Sequence, residues 1–329
     1  MLKPAIHPAE QRRRERVREL RRRRMRRSGR RAYIRSVQFL PSLATLGNAI
    51  CGFAAIYIVT LNVDTVGPDR LAQELVEYRF LAAVYLVALA MIFDALDGRL
   101  ARIARHTTDF GGQLDSLADV ISFGVAPAII VLHVLKFDEL AQYLGAPLAI
   151  TRLIWAIGAL YVACALLRLA RFNVSNEHGE QHHMSFLGLP TPAAAGAVLG
   201  VVLMQQDLLI RAGHHEQGPL RDALWVTAGV LTILLPVVML LAALLMVSEF
   251  RYPHTVNRLL RGRRPLWTVV LAIGVILLLV VQHRYVLGIT GLVIAFSGPM
   301  WWALARLRAR RAAMTNEETR MTNEIPNDE

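Results

Sequence analysis

The sequence predicts an all-α polytopic membrane protein with about eight transmembrane helices, and three observations predict it. The 329-residue chain is 54% hydrophobic and 19% charged, with a mean hydropathy of +0.39, yet its formal net charge is +12. That charge is confined to one end: residues 1–37 hold 15 Lys and Arg against 3 Asp and Glu, and the other 292 residues hold 22 of each sign. The neutral body is divided into apolar runs of about 20 residues, the length that a hydrocarbon core about 30 Å thick requires. A collagen-like, disordered or small disulfide-stapled protein is excluded by this composition.

The runs lie at 38–61, 80–104, 117–135, 148–167, 189–206, 223–247, 266–282 and 285–305. The first follows an Arg-rich segment and is not followed by a small-residue cleavage site, so it reads as a span and not as a cleavable signal. The stretch 266–281 has no charged face at all, which argues against a soluble helical protein, whose amphipathic helices need one. Three regions result: a basic arm at 1–37, a membrane body at 38–305 and a polar tail at 306–329.

Orientation follows from the basic residues. With the N-terminus inside and eight crossings, 30 of the 37 Lys and Arg fall on the cytoplasmic side. Both termini are therefore expected in the cytoplasm, and the cell inner membrane is the expected location. The arm is explained by topology and by contact with anionic lipid head groups. Nucleic acid is not expected as a partner, because no aromatic or groove-reading element accompanies the arginines. Cys51 and Cys164 both sit in apolar runs and support neither a disulfide scaffold nor a cysteine zinc site.

The second and third runs differ from the rest in carrying ionisable residues, which are costly in a span and mark function by default. Asp94, Asp97, Gly98, Ala101, Arg102, Gly111, Asp115 and Asp119 form the pattern D-x-x-D-G-x-x-A-R-x8-G-x-x-x-D-x-x-x-D. At about 100° per residue, Asp94, Asp97 and Ala101 share a narrow sector, with Gly98 and Arg102 beside it. Gly111, Asp115 and Asp119 rise four at a time along one face of the next helix. A polar stretch at 105–109 turns the chain between them, so the two acidic faces can converge near the cytoplasmic interface.

Four converging carboxylates repel one another unless cations intervene. Oxygen-only ligands suit hard ions, Mg²⁺ or Mn²⁺, and four of them fit a two-metal site. The small residues Gly98, Ala101 and Gly111 leave room for a nucleotide to approach the backbone, and Arg102 offers a planar fork to a diphosphate. Interhelical salt bridges with Arg99, Arg102 and Arg105, or a cation pathway through the membrane, also account for buried acids. Neither explains the small residues at fixed offsets.

This pattern is similar, at every fixed position, to the signature of the CDP-alcohol phosphatidyltransferases, membrane enzymes that transfer a phosphatidyl group from a CDP-lipid to an alcohol and release CMP. The segments LPSLATLGNAICGF (40–53), LDSLADVISFGVAPA (114–128), RLARFNV (168–174), FLGLPTPAAA (186–195) and LMVSEFRYP (245–253) resemble the phosphatidylserine synthase branch. The resemblance implies that Asp94, Asp97, Asp115 and Asp119 bind the metals, that Gly98, Ala101, Arg102 and Gly111 form the CDP site, and that Asp119 is the base. It also implies CDP-diacylglycerol and L-serine as substrates; a glycerol phosphate or inositol phosphate acceptor is the alternative within the family, and a cation-coupled transporter the alternative outside it.

Serine brings a carboxylate and an ammonium. Arg168 and Arg171, one turn apart at the end of the fourth run, suit that carboxylate, or equally a lipid phosphate; Ser122 and Asn173 are further polar contributors. Thr45 and Asn48, three apart on the first run, suit either the CDP-lipid or a helix-helix hydrogen bond. His178, His182 and His183 share one polar loop and His214 and His215 another, as solvated side chains or a zinc site. Gly196 and Gly200 form a GxxxG pair compatible with close helix packing or a homodimer.

Overall fold

The computed structural model describes residues 43–61, 74, 76–104, 109–135, 148–177, 188–250, 282–308 and 310. Regular structure among them is helical throughout: α1 (Leu43–Thr60), α2 (Arg79–Ala104), α3 (Asp109–Asp119), α4 (Ala126–Leu135), α5 (Leu148–Glu177), α6 (Thr191–His214), α7 (Pro219–Val247) and α8 (Gln282–Arg308). A π-helical turn, Val120–Val125, joins α3 to α4 without a break, so the two make one span. Seven spans among the described residues are long and apolar enough to cross a bilayer, and the chain is an integral membrane protein. They match seven of the eight runs read from the sequence. Residues 266–281 of the seventh run, the basic arm and residues 311–329 lie outside the described residues.

Two boundaries differ in an informative way. Hydropathy starts the third run at 117 because acids interrupt it, whereas the helix starts at Asp109 and carries those acids in its first turns. The fourth run fades at 167, yet α5 continues to Glu177 through Arg168, Arg171 and Asn173. Both polar extensions lie at the same end of the bundle.

α6 is the most enclosed span, with Val198, Leu199, Val202 and Leu203 essentially without exposure. α7 lies along α6 and α5, and α2, α4 and the π turn also touch α6. α8 runs antiparallel to α6 along a seam of glycines. A Cβ on Gly200 would stand 2.6 Å from Gly288 Cα, and one on Gly291 would stand 2.7 Å from the Gly196 carbonyl oxygen. Only residues without side chains permit backbones this close. The GxxxG pair is therefore occupied by α8 of the same chain and makes no case for a homodimer.

Charge reinforces the seam at the far end of α6. Asp207, 3% exposed, meets Arg211 at 2.7 Å and Arg284 of α8 at 2.6 Å, and Tyr85 of α2 lies 2.6 Å from His283. A carboxylate inside a span needs such partners.

At the near end, the segment before α6 is clamped to the end of α7. Gly188, at φ +82°, donates its N–H to the Phe250 carbonyl at 3.0 Å, and Leu189 donates to Leu245 at 2.9 Å. A side chain at Gly188 would run into the Met246 carbonyl, so this left-handed, crowded position requires glycine. Leu189 is thereby fully buried, and α6 starts with proline in its first turn, where a missing N–H costs nothing.

Candidate active site

α2 and α3 bring Asp94, Asp115 and Asp119 together. One carboxylate oxygen from each lies within 4.8 Å of the others, and this is the group among the described residues suited to a metal ion. Asp119 is 8% exposed and the other two are half-buried. The spacing of Asp115 and Asp119 puts them one above the other on α3, and Asp94 meets them from α2. Two like charges about 4.8 Å apart repel by about 3 kcal/mol at an effective dielectric of about 20. Three such pairs are relieved by protonation or by positive charge among them. Asp115 Oδ1 is buried with no hydrogen-bond partner among the described residues. An all-carboxylate donor set with an unused buried oxygen fits a hard divalent cation such as Mg²⁺ or Mn²⁺.

Asp97 is not part of this trio. Three residues from Asp94 is 60° short of a full turn, and the Asp97 side chain turns toward α1, where it accepts a hydrogen bond from the Thr45 hydroxyl. It is buried at 7% exposure and remains electrostatically coupled to Asp94 and Asp115. One turn along α1, the Asn48 amide donates to Asp119 Oδ1 at 2.9 Å. Thr45 and Asn48 are both buried and donate to the acids, while Asn48 Oδ1 is buried with no hydrogen-bond partner among the described residues. They hold carboxylates in place.

The π turn fixes α1 in turn. The Ser122 hydroxyl donates to the Asn48 carbonyl at 2.8 Å, and a Cβ on Gly52 would stand 2.7 Å from Ser122 Cα. Helices this close are rigid in translation, so Asn48 is set against Asp119 by the same contact. In the π turn the Ala126 N–H reaches the Ile121 carbonyl, five residues back. The Phe123 carbonyl receives the hydroxyl of fully buried Tyr161 on α5 at 3.0 Å. Such wide turns recur at functional sites.

The remaining expected residues are distributed as follows. A Cβ on Gly98 would meet nothing within 4 Å among the described residues. Gly111 is half-buried on α3. The backbones of Ala101 and Arg102 continue α2, while their side chains lie outside the described residues. Arg168 is half-buried, interacts electrostatically with Asp119 and donates to Thr191 Oγ1 at 2.5 Å. Arg171 is exposed. Asn173 Oδ1 accepts from Ser116 at 3.0 Å, which links α5 to α3. Ser122 is fully buried. His214 and His215 are exposed, and His178, His182 and His183 lie outside the described residues.

Gly52, Ser116, Tyr161 and Thr191 were not singled out by the sequence as site residues. Gly52, Ser116 and Thr191 fall within quoted motifs, which was the available signal.

Buried acids beside a small-residue opening are the features around which comparison with known proteins is informative. A family model described as CDP-alcohol phosphatidyltransferase matches residues 38–234, more than half of the chain, and the chain belongs to this family. A Helicobacter pylori (strain ATCC 700392 / 26695) protein named "CDP-diacylglycerol--serine O-phosphatidyltransferase" is 32% identical over 221 residues, covering 67% of this chain and 74% of its own length. A Mycobacterium bovis protein of the same name is 34% identical over 175 residues, covering 52% of this chain and 51% of its own. One from Bacillus subtilis (strain 168) is 26% identical over 219 residues, 66% of this chain and 92% of its own.

Proposed function

We propose that this chain transfers the phosphatidyl group of CDP-diacylglycerol to the hydroxyl of L-serine, giving phosphatidylserine and CMP. The observation that carries it is the carboxylate trio Asp94, Asp115 and Asp119, with an arginine, Arg168, anchored beside Asp119. The names of the relatives support the choice of serine.

Asp94, Asp115 and Asp119 would hold the divalent cation, with Asp97 as a further ligand or as its neighbour; when bound, it supplies positive charge to offset the diphosphate. Gly98, Ala101 and Gly111 admit the cytidine nucleotide to the helix backbones, and Arg102 pairs with the diphosphate. The serine hydroxyl oxygen attacks the phosphorus that carries the diacylglycerol, and the bond from that phosphorus to the CMP phosphate oxygen breaks. The hydroxyl proton passes to Asp119. Its Oδ1 accepts from Asn48, which orients the carboxylate and leaves lone pairs for the proton and for the cation it would help to hold. A carboxylate is a weak base for an alcohol, so transfer accompanies attack and no free alkoxide forms.

Arg168 binds the acceptor carboxylate, and Asn173, whose carbonyl oxygen is engaged by Ser116, presents its amide hydrogens. Ser122 acts through Asn48. The exposed position of Arg171 suits lipid phosphate at the interface. The Lys and Arg distribution supports a cytoplasmic site and cytoplasmic termini in the inner membrane.

An acceptor screen tests the reading. Purified protein with CDP-diacylglycerol and Mg²⁺ or Mn²⁺ is expected to release CMP with L-serine. Release only with glycerol phosphate or inositol phosphate would move the chain to another branch, and none with any acceptor would sink the transferase reading.

A further inference from the structure

Three of the segments that resemble one branch of the family are distant in sequence and far from the carboxylate trio's own motif. The structure joins them into one strut. The end of α7 accepts hydrogen bonds from Gly188 and Leu189; two residues later Thr191, fully buried in the first turn of α6, receives Arg168 at 2.5 Å. Arg168 lies on α5 and interacts electrostatically with Asp119. Its Nε is buried and has no hydrogen-bond partner among the described residues. A guanidinium pinned at one nitrogen and carrying a buried, unpaired N–H at another is short of an acceptor, which an anion would supply.

We propose that Thr191 is a specificity-determining positioning residue: through its hydrogen bond it holds the Arg168 guanidinium so that the unpaired edge receives the carboxylate of an amino-acid acceptor. This rests on the serine reading above and adds where acceptor choice is set. The strut explains why the segment begins with a glycine in a left-handed conformation. Gly188 allows the chain to turn onto the α7 carbonyls, and that turn delivers Thr191 to Arg168. An acceptor without a carboxylate gains nothing from this arrangement and leaves the Arg168 Nε–H without an acceptor.

The test uses the full-length protein in detergent with CDP-diacylglycerol, comparing L-serine with L-serinamide, which keeps the amine and hydroxyl but lacks the carboxylate. Thr191→Val and Thr191→Ala each remove the acceptor for Arg168, and either suffices if the other is not recovered folded. Loss of one charge-assisted hydrogen bond is expected to raise KM for serine about tenfold. The KM for CDP-diacylglycerol and kcat at saturating serine should stay within about twofold, and the preference for serine over serinamide should narrow by about the same tenfold. Thr191→Ser, which keeps the hydroxyl, should restore the serine KM. An unchanged serine KM in both variants, or a parallel rise in KM for CDP-diacylglycerol, overturns the proposal while leaving the serine reading intact. Failure of the unmutated protein to use serine overturns both.

Discussion

Replacing Gly52 by alanine tests how strictly α1 governs the acids. The new methyl would lie 2.7 Å from Ser122 Cα, against an ordinary carbon separation of about 3.5–4.0 Å, so α1 and the π turn must part by about 1 Å. The obstacle is backbone, which cannot swing aside as a side-chain tip would. Overpacking of this kind costs about 1–3 kcal/mol, a moderate loss of stability. The effect on turnover is larger. Asn48 stands one turn from Gly52 and moves with it, so the 2.9 Å bond to Asp119 stretches past useful geometry. A misplacement of about 1 Å in a catalytic group can cost about 100-fold in rate. Gly52→Ala should therefore lower kcat for CMP release about 100-fold with only a modest drop in unfolding temperature in detergent. Gly213→Ala, where a methyl meets nothing within 4 Å among the described residues, is the control and should match the unmutated protein. Turnover within twofold of normal in Gly52→Ala would refute the claim that α1 sets Asp119.

Asp119→Asn should abolish serine-dependent CMP release while the protein still elutes as a folded species on gel filtration. Chelation of divalent ions should remove activity and added Mg²⁺ or Mn²⁺ restore it; Asp94→Asn and Asp115→Asn should raise the ion concentration for half-maximal activity about tenfold or more, since removing a ligand or its support weakens a site by that order. Asp207→Asn should lower unfolding stability by about 1–2 kcal/mol, less than for a wholly buried pair because Arg284 is 29% exposed, with activity little changed because the pair lies at the other end of α6. Gly200→Val should destabilise the protein more than Gly213→Val, as only the former collides with the Gly288 backbone; equal unfolding temperatures would remove the glycine seam from the account.

The spans were legible because a bilayer imposes a length on apolar runs, and the acids were legible because they interrupt two of them. The trio Asp94, Asp115 and Asp119 converges as the four-residue rise on α3 requires. Asp97 was grouped with them by its place in the signature and by angle; its hydrogen bond from Thr45 was not legible, because the position of α1 is a tertiary fact that spacing on α2 does not contain. The π turn was equally hidden, since nothing in VISFGV distinguishes five-residue from four-residue hydrogen bonding. Its residues bond to partners elsewhere in the chain, Tyr161 and Asn48. Gly196 and Gly200 were legible as a close-packing face, but a sequence does not say whether the facing helix belongs to the same chain; here Gly288 and Gly291 answer from α8. Arg168 and Arg171 read as equivalent, and burial separates them.

A π turn is equivalent to one residue inserted into an α-helix, and one residue is about 100° of rotation. Asp115 and Asp119 lie before it, and the fully buried Ile130 and Val131 lie after it. One span thus carries two angular settings on a single shaft: the upper half is dialled to the acids, the lower half to the packing, and the turn is the clutch between them. Removing one residue from 120–125 would lock the halves together and swing the carboxylates about 100° away from Asp94 with α4 still seated. Substitutions in α4 can in the same way retune how the span packs without rotating its chemistry.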